Sequence, residues 1–189
     1  MTVRLRNLVV LFLLTFPFAQ ALADDYADAI KVFRGASESG RFFKNSYGYA
    51  VFPTIGKGGV GVGGAFGKGQ VYAKGAYAGD ASMTQLTVGF QFGGQAYSQI
   101  VFFEDKRAYD EFTSGNFEFG VQATAVAITA GASAQAGTTG PSAGASGTQR
   151  HTKNIARYNK GMAVFTVAKG GLMYEASIGG QKFTYNAKK

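Results

Sequence analysis

From Thr84 to Gly93 the side chains alternate, with Leu86, Val88, Phe90 and Phe92 on one side and Gln85, Thr87, Gly89 and Gln91 on the other. This is the period-two signature of a strand with unlike faces. Tyr97–Phe103 predicts a partner strand, and further strands are expected at Met162–Lys169, Leu172–Ile178 and Lys182–Tyr185. Between Tyr47 and Tyr72, glycines interleave with apolar residues. An apolar run ending in Pro53 leads into a strand whose Gly59, Gly61 and Gly63 share one bare face. Bare strand faces admit a neighbouring backbone, an aromatic ring or a ligand. A run of small residues from Phe117 to Ala136 predicts another strand, Val121, Ala123, Ala125 and Ala127 opposing Gln122, Thr124, Val126 and Ile128.

Two stretches change period. Asp24 to about Ser39 predicts a helix, with acids in its first turn and Tyr26, Ile30 and Phe33 on one face. That face either docks on a sheet or lies on a membrane surface. Glu104–Phe112 predicts a short helix ended by Ser114-Gly115-Asn116. Together these elements predict an α+β domain, predominantly antiparallel β-sheet or a partly closed barrel, with an N-terminal helix and one short internal helix. Ala50-Val51-Phe52 recurs as Ala163-Val164-Phe165, and Tyr72 as Tyr185. This echo is compatible with two similar β-units or with chance in a glycine-rich chain.

Composition adds compartment. Arg4 and Arg6, the apolar run Leu8–Phe18 and Ala21-Leu22-Ala23 read as a signal peptide over residues 1–23, leaving 24–189 as a single domain. The run is shorter than the ~20 residues that span a bilayer. No cysteine is present, which excludes disulfides, thiol chemistry and cysteine-ligated zinc. Residues 137–150 have the Gly/Ser/Thr composition of an exposed loop.

The chain carries a formal charge of +8, which becomes +6 once Arg4 and Arg6 leave with the signal peptide. Such a balance favours anionic partners, and for an exported chain these are lipid headgroups rather than nucleic acid. Lys31, Arg34, Arg41 and Lys44 bracket Phe42-Phe43. In that arrangement rings enter an interfacial zone while cations meet phosphates. Lys57 and Lys68, in the glycine-rich stretch, extend the candidate set; a dispersed basic surface that only aids solubility is the alternative.

Catalytic patterns find little support. Gly56-x-Gly58-x-x-Gly61 and Gly59-x-Gly61-x-x-Gly64 match a dinucleotide fingerprint, but no helix is expected after them to point at a pyrophosphate. His151 is the sole histidine, and nothing in the spacing pairs it with a serine and a carboxylate. The paired acids Glu104-Asp105 and Asp110-Glu111 most simply cap or solvate a helix. No enzyme activity, cofactor or metal is expected.

The order and spacing of Tyr49-Ala50-Val51-Phe52-Pro53, Gly58–Gly64, Val88–Gly94, Phe119–Gly131 and Gly170-Gly171-Leu172 resemble the SYLF domain family over most of residues 26–185. The resemblance implies a lipid-binding module using an amphipathic N-terminal helix and a basic surface, and a fungal branch that also binds actin. For this chain it implies a non-enzymatic protein associating with anionic phospholipid or lipopolysaccharide headgroups, in the periplasm, at the envelope or secreted. The alternatives are a small outer-membrane β-barrel or envelope structural protein, and an actin- or protein-binding adaptor. Oligomeric state is not legible. Met173-Tyr174-Glu175 departs from the small residues expected after Gly-Leu in the family.

Overall fold

The computed structural model describes residues 18–89, 95–128, 156–169 and 176–189. Residues 1–17, the expected strand portions at 90–93 and 172–175, the 137–150 loop and His151 lie outside the described residues.

Helix α1 (Phe18–Gly35) begins before the expected cleavage point and turns Ala29 and Phe33 inward, with Ala36 buried just past its end and Tyr26 and Ile30 half-buried beside them. It is therefore docked on the sheet, the first of the two arrangements its periodicity allows. It stops short of Ser39 because the chain folds over its end. The Ser39 hydroxyl donates to the Phe33 carbonyl and the Gly40 N–H to that of Ala36, satisfying acceptors that a helix end leaves open. One turn of helix follows, α2 (Phe42–Asn45).

Strand β1 (Gly48–Ala73) is a continuous run of 26 residues. Fully extended, it would be roughly 80 Å long, yet its ends meet. The Lys74 N–H donates to the Tyr47 carbonyl at 2.9 Å, and a side chain on Gly48 would strike the Tyr72 carbonyl. Its first arm, residues 48–57, pairs with β3 (Gln95–Phe103), and its second, 61–73, pairs with β2 (Ala76–Gly89). The arms pack so closely that a methyl on Gly69 would lie 2.5 Å from the Phe52 ring. Gly48 thus admits a backbone and Gly69 a ring, neither of them on the Gly59, Gly61 and Gly63 face that the sequence singled out. The β1–β3 register slips between Phe52 and Ile55, around Pro53, which has no N–H to give a ladder.

The chain continues through α3 (Lys106–Phe112), β4 (Phe117–Glu118), β5 (Thr124–Ile128), β6 (Met162–Lys169), β7 (Ala176–Ser177) and β8 (Gln181–Ala187). The Asp105 carboxylate caps α3 by accepting the Ala108 N–H at 2.8 Å. The strand expected from Phe117 is broken within the described residues. Ala123 N–H turns back to the Gly120 carbonyl at 2.9 Å and leaves Val121 85% exposed. The strand order is β4-β8-β2-β1-β3-β6-β5-β7, with β5–β6 the one parallel pair among the described residues. Segment 117–128 lies along 176–183 at both ends of that order. The sheet therefore curls into a half-barrel, within the expected class.

Both faces of the central strands are buried. Phe52, Met83, Val101, Phe103, Val164 and Phe183 fill the inside together with Phe112 of α3. Val51, Ile100, Phe102 and Phe165 face outward under α1 and α2. The sequence echo does not survive this geometry as a structural repeat. Ala50 and Phe52 point inward, whereas their counterparts Ala163 and Phe165 point outward, and Tyr72 and Tyr185 also pack on opposite faces.

Candidate functional site

The docked helix leaves Lys31 and Arg34 on its exposed side, next to the partly exposed Val32. Arg34 stacks 4.7 Å over the Phe43 ring and Arg41 5.1 Å over Phe42. Phe42 and Phe43 both pack on Phe102, with ring centroids 5.5 and 4.9 Å away. One aromatic cluster thus gathers Arg34 and Arg41, with Lys44 exposed on α2 and Lys31 about one turn from Arg34. Phe42 is not available to enter a membrane as the sequence suggested, and Phe43 is available only in part. Phe42 is only 4% exposed, wedged against Phe102, Tyr158 and Phe165, and Phe43 is half-buried on Tyr49 and Phe102. Their neighbouring cations led the sequence reading to treat as exposed a pair that forms the floor under those cations. Arg41 has a second duty: its guanidinium donates to the Ala156 carbonyl, tying α2 to the approach of β6.

Lys57 and Lys68 belong elsewhere. Lys57 is half-exposed opposite Gln95, and Lys68 is exposed opposite Ser82. Lys68 shares the outer face of the second β1 arm with Phe66, which is 51% exposed and sits opposite Thr84; Thr84 in turn faces Lys182 on β8. Leu86, two residues along from Thr84, is 84% exposed. Sequence reasoning missed Phe66 and Leu86 as surface groups, since a strand that alternates usually buries its apolar side. A signal existed upstream: Ala81 and Met83 are in phase with Gln85, not with Leu86.

The acids and bases differ in how they are partnered. Acids between 105 and 118 are matched locally: Lys106–Asp110 at 2.6 Å, Arg107 with Asp105 at 3.7 Å and Glu111 at 3.5 Å, and Lys182–Glu118 at 3.5 Å. Lys31, Arg34, Arg41, Lys44, Lys57 and Lys68 make no ion pair among the described residues. Beneath the cations the tyrosines are held protonated. Tyr49 is pushed up by burial and the nearby Tyr72, an effect that Arg34 partly offsets. Tyr72 and Tyr26 are raised by burial and by Asp80. The described residues contain no group of three potential metal ligands, and no helix among them is long and apolar enough to cross a membrane. The arrangement is a cationic shelf on an aromatic base.

A family described as "Las17-binding protein actin regulator" (Ysc84) matches residues 84–189. The chain is also 29% identical over 163 residues to Beta cell expansion factor A of Aeromonas veronii, an alignment covering 82% of this chain and 51% of the relative. The chain thus spans about half the length of that curated relative.

Proposed function

Because the chain belongs to the Ysc84, or SYLF, family, we propose that it is an exported, non-enzymatic lipid-binding protein whose α1–α2 shelf docks on anionic headgroups. The observation that carries this reading is the stacking of Arg34 and Arg41 on one aromatic cluster, with Lys31 and Lys44 exposed beside them and no ion pair to any of the four among the described residues, while the acids of α3 and β4 are neutralised locally. Since Phe42 is a core residue, binding rests on charge and remains at the surface; Lys57 and Lys68 lie on β1, outside the shelf. Each cation near such a surface contributes about 1 kcal/mol, screened by salt. Phospholipid and lipopolysaccharide headgroups are the partners an exported chain would meet.

The half-barrel is the reverse of a transmembrane barrel, which shows lipid an apolar outer band around a polar lumen. Here the inside is packed with Phe52, Phe103, Phe112 and Phe183, and the outer face carries Lys68, Thr84 and Lys182 beside the exposed Phe66 and Leu86 or is covered by α1. Sedimentation of the purified protein with vesicles containing or lacking phosphatidylglycerol tests the reading. Binding is expected only to the anionic vesicles, weakening by about tenfold or more in Lys31→Glu/Arg34→Glu. Equal binding to neutral vesicles, or indifference to the reversals, removes the reading.

A further inference from the structure

A cavity of about 460 Å³ opens off the inner core between the β4–β5 segment and β6. Its size lies in the range of pockets that enclose small ligands. Its walls are apolar where they meet the core, with Phe117, Phe119, Ala123, Met162, Val164 and Ile178. Four charged residues also line it: Glu111, Glu118, Arg157 and Lys160. Both acids are already engaged by bases outside the lining, Glu111 by Arg107 at 3.5 Å and Glu118 by Lys182 at 3.5 Å. Arg157 and Lys160 are exposed and have no ion pair among the described residues. Lys160 is held at the tip of a tight turn, with φ of 51° and the Asn159 and Met162 backbones bonded to each other at 2.8 and 3.0 Å.

We propose that this cavity binds a single-chain anionic amphiphile, its hydrocarbon chain against Phe117, Met162 and Val164 and its head at Arg157 and Lys160. Each acid already lies 3.5 Å from a base outside the lining, whereas Arg157 and Lys160 have no ion pair among the described residues. A buried apolar wall beside uncommitted charge of one sign selects for a ligand with those two halves. This cavity is distinct from the α1–α2 shelf, so either can fail alone.

Calorimetric titration of the full chain with dodecanoate, below its micelle concentration, is the test, with dodecyltrimethylammonium as the probe of equal tail and opposite charge. One dodecanoate is expected to bind per chain and the cationic probe not at all. Arg157→Gln/Lys160→Asn, two exposed positions of which the second suits asparagine at positive φ, is expected to weaken dodecanoate by about tenfold or more. Thr124→Trp, at an exposed position on the lining, is expected to abolish binding by filling the space, while Lys31→Glu/Arg34→Glu leaves it intact. Absence of dodecanoate binding, equal binding of both probes, or affinity unchanged in both cavity variants overturns the proposal. Circular dichroism matching the parent establishes that each variant remains folded.

Discussion

Gln85 and Leu86 show how a single residue's environment can invert its ordinary preference. Gln85 points into the half-barrel, where its amide donates to the Gly179 carbonyl at 2.9 Å, while its apolar neighbour meets solvent. Deeper in, Gln99 and Gln181 are fully buried and exchange two amide bonds, at 2.9 and 3.1 Å, and Gln181 donates a third to the Tyr97 hydroxyl. Burying such groups is tolerable only when each finds a partner. Gln181→Ala orphans the Gln99 amide and is expected to cost about 1–3 kcal/mol in urea unfolding. Replacing both by leucine removes the orphan and should recover much of that loss. A double variant no more stable than Gln181→Ala would show that the pair is not coupled as drawn. Tyr158 is the contrary case: its hydroxyl is buried with no hydrogen-bond partner among the described residues, its ring edge-on to Phe42 at 5.1 Å.

At the scale of elements, β1 carries the most consequence. Its two arms can fold together because glycine stands where a side chain would collide, and Phe52 occupies the space that Gly69 leaves. Since Phe52 is wholly buried and packs on Phe183 with ring centroids 5.5 Å apart, it has little room to give way. Gly69→Ala is therefore expected to destabilise the fold by about 1–3 kcal/mol, the range for overpacking a filled core. Thermal denaturation checks this, and an unchanged midpoint would mean that the arms are looser than they appear. The amphipathic period of α1 showed that it has an apolar face and not what covers it; Val51, Ile100 and Phe165 on the outer sheet face are the answer. The same docking turns Lys31 and Arg34 outward, so the position of the cationic shelf follows from an apolar contact on the helix's other side.

The whole molecule carries its tyrosines as a pH limit. Burial pushes Tyr97 and Tyr158 up to about 12, while Tyr26, Tyr49, Tyr72 and Tyr185 are also raised, each chiefly by burial. Unfolded, each ionises near 10. Between those values the folded chain holds protons that the unfolded chain has released, so stability is fully present below about pH 10 and falls as pH rises toward 12. Parallel titrations of phenolate absorbance and circular dichroism should show the buried tyrosines ionising late and together with loss of fold. All tyrosines titrating near 10 in an intact fold would contradict this. The partnering of charge belongs to the same scale. The acids of residues 105–118 are spent on neighbours, whereas the bases of residues 31–68 make no ion pair among the described residues.

Read alone, the sequence located most of what is regular here: β3, β6, β8, the first helix and the capped α3, because hydrophobic period and turn residues are local signals. It also singled out the basic residues from 31 to 68. What it left open was sidedness. Alternation along a strand is indifferent to which side faces water, so the burial of Gln85 and the exposure of Leu86 await the strands beside them. A strand buried on both faces, such as β6, shows no alternation at all. Phe42, set among cations in the chain, reads as a surface ring until Phe102 and Phe165 close over it. The meeting of β1's two arms, the gathering of Arg34 and Arg41 over one aromatic base and the cavity beside β6 arise from contacts between residues distant in the chain, which only tertiary packing brings together.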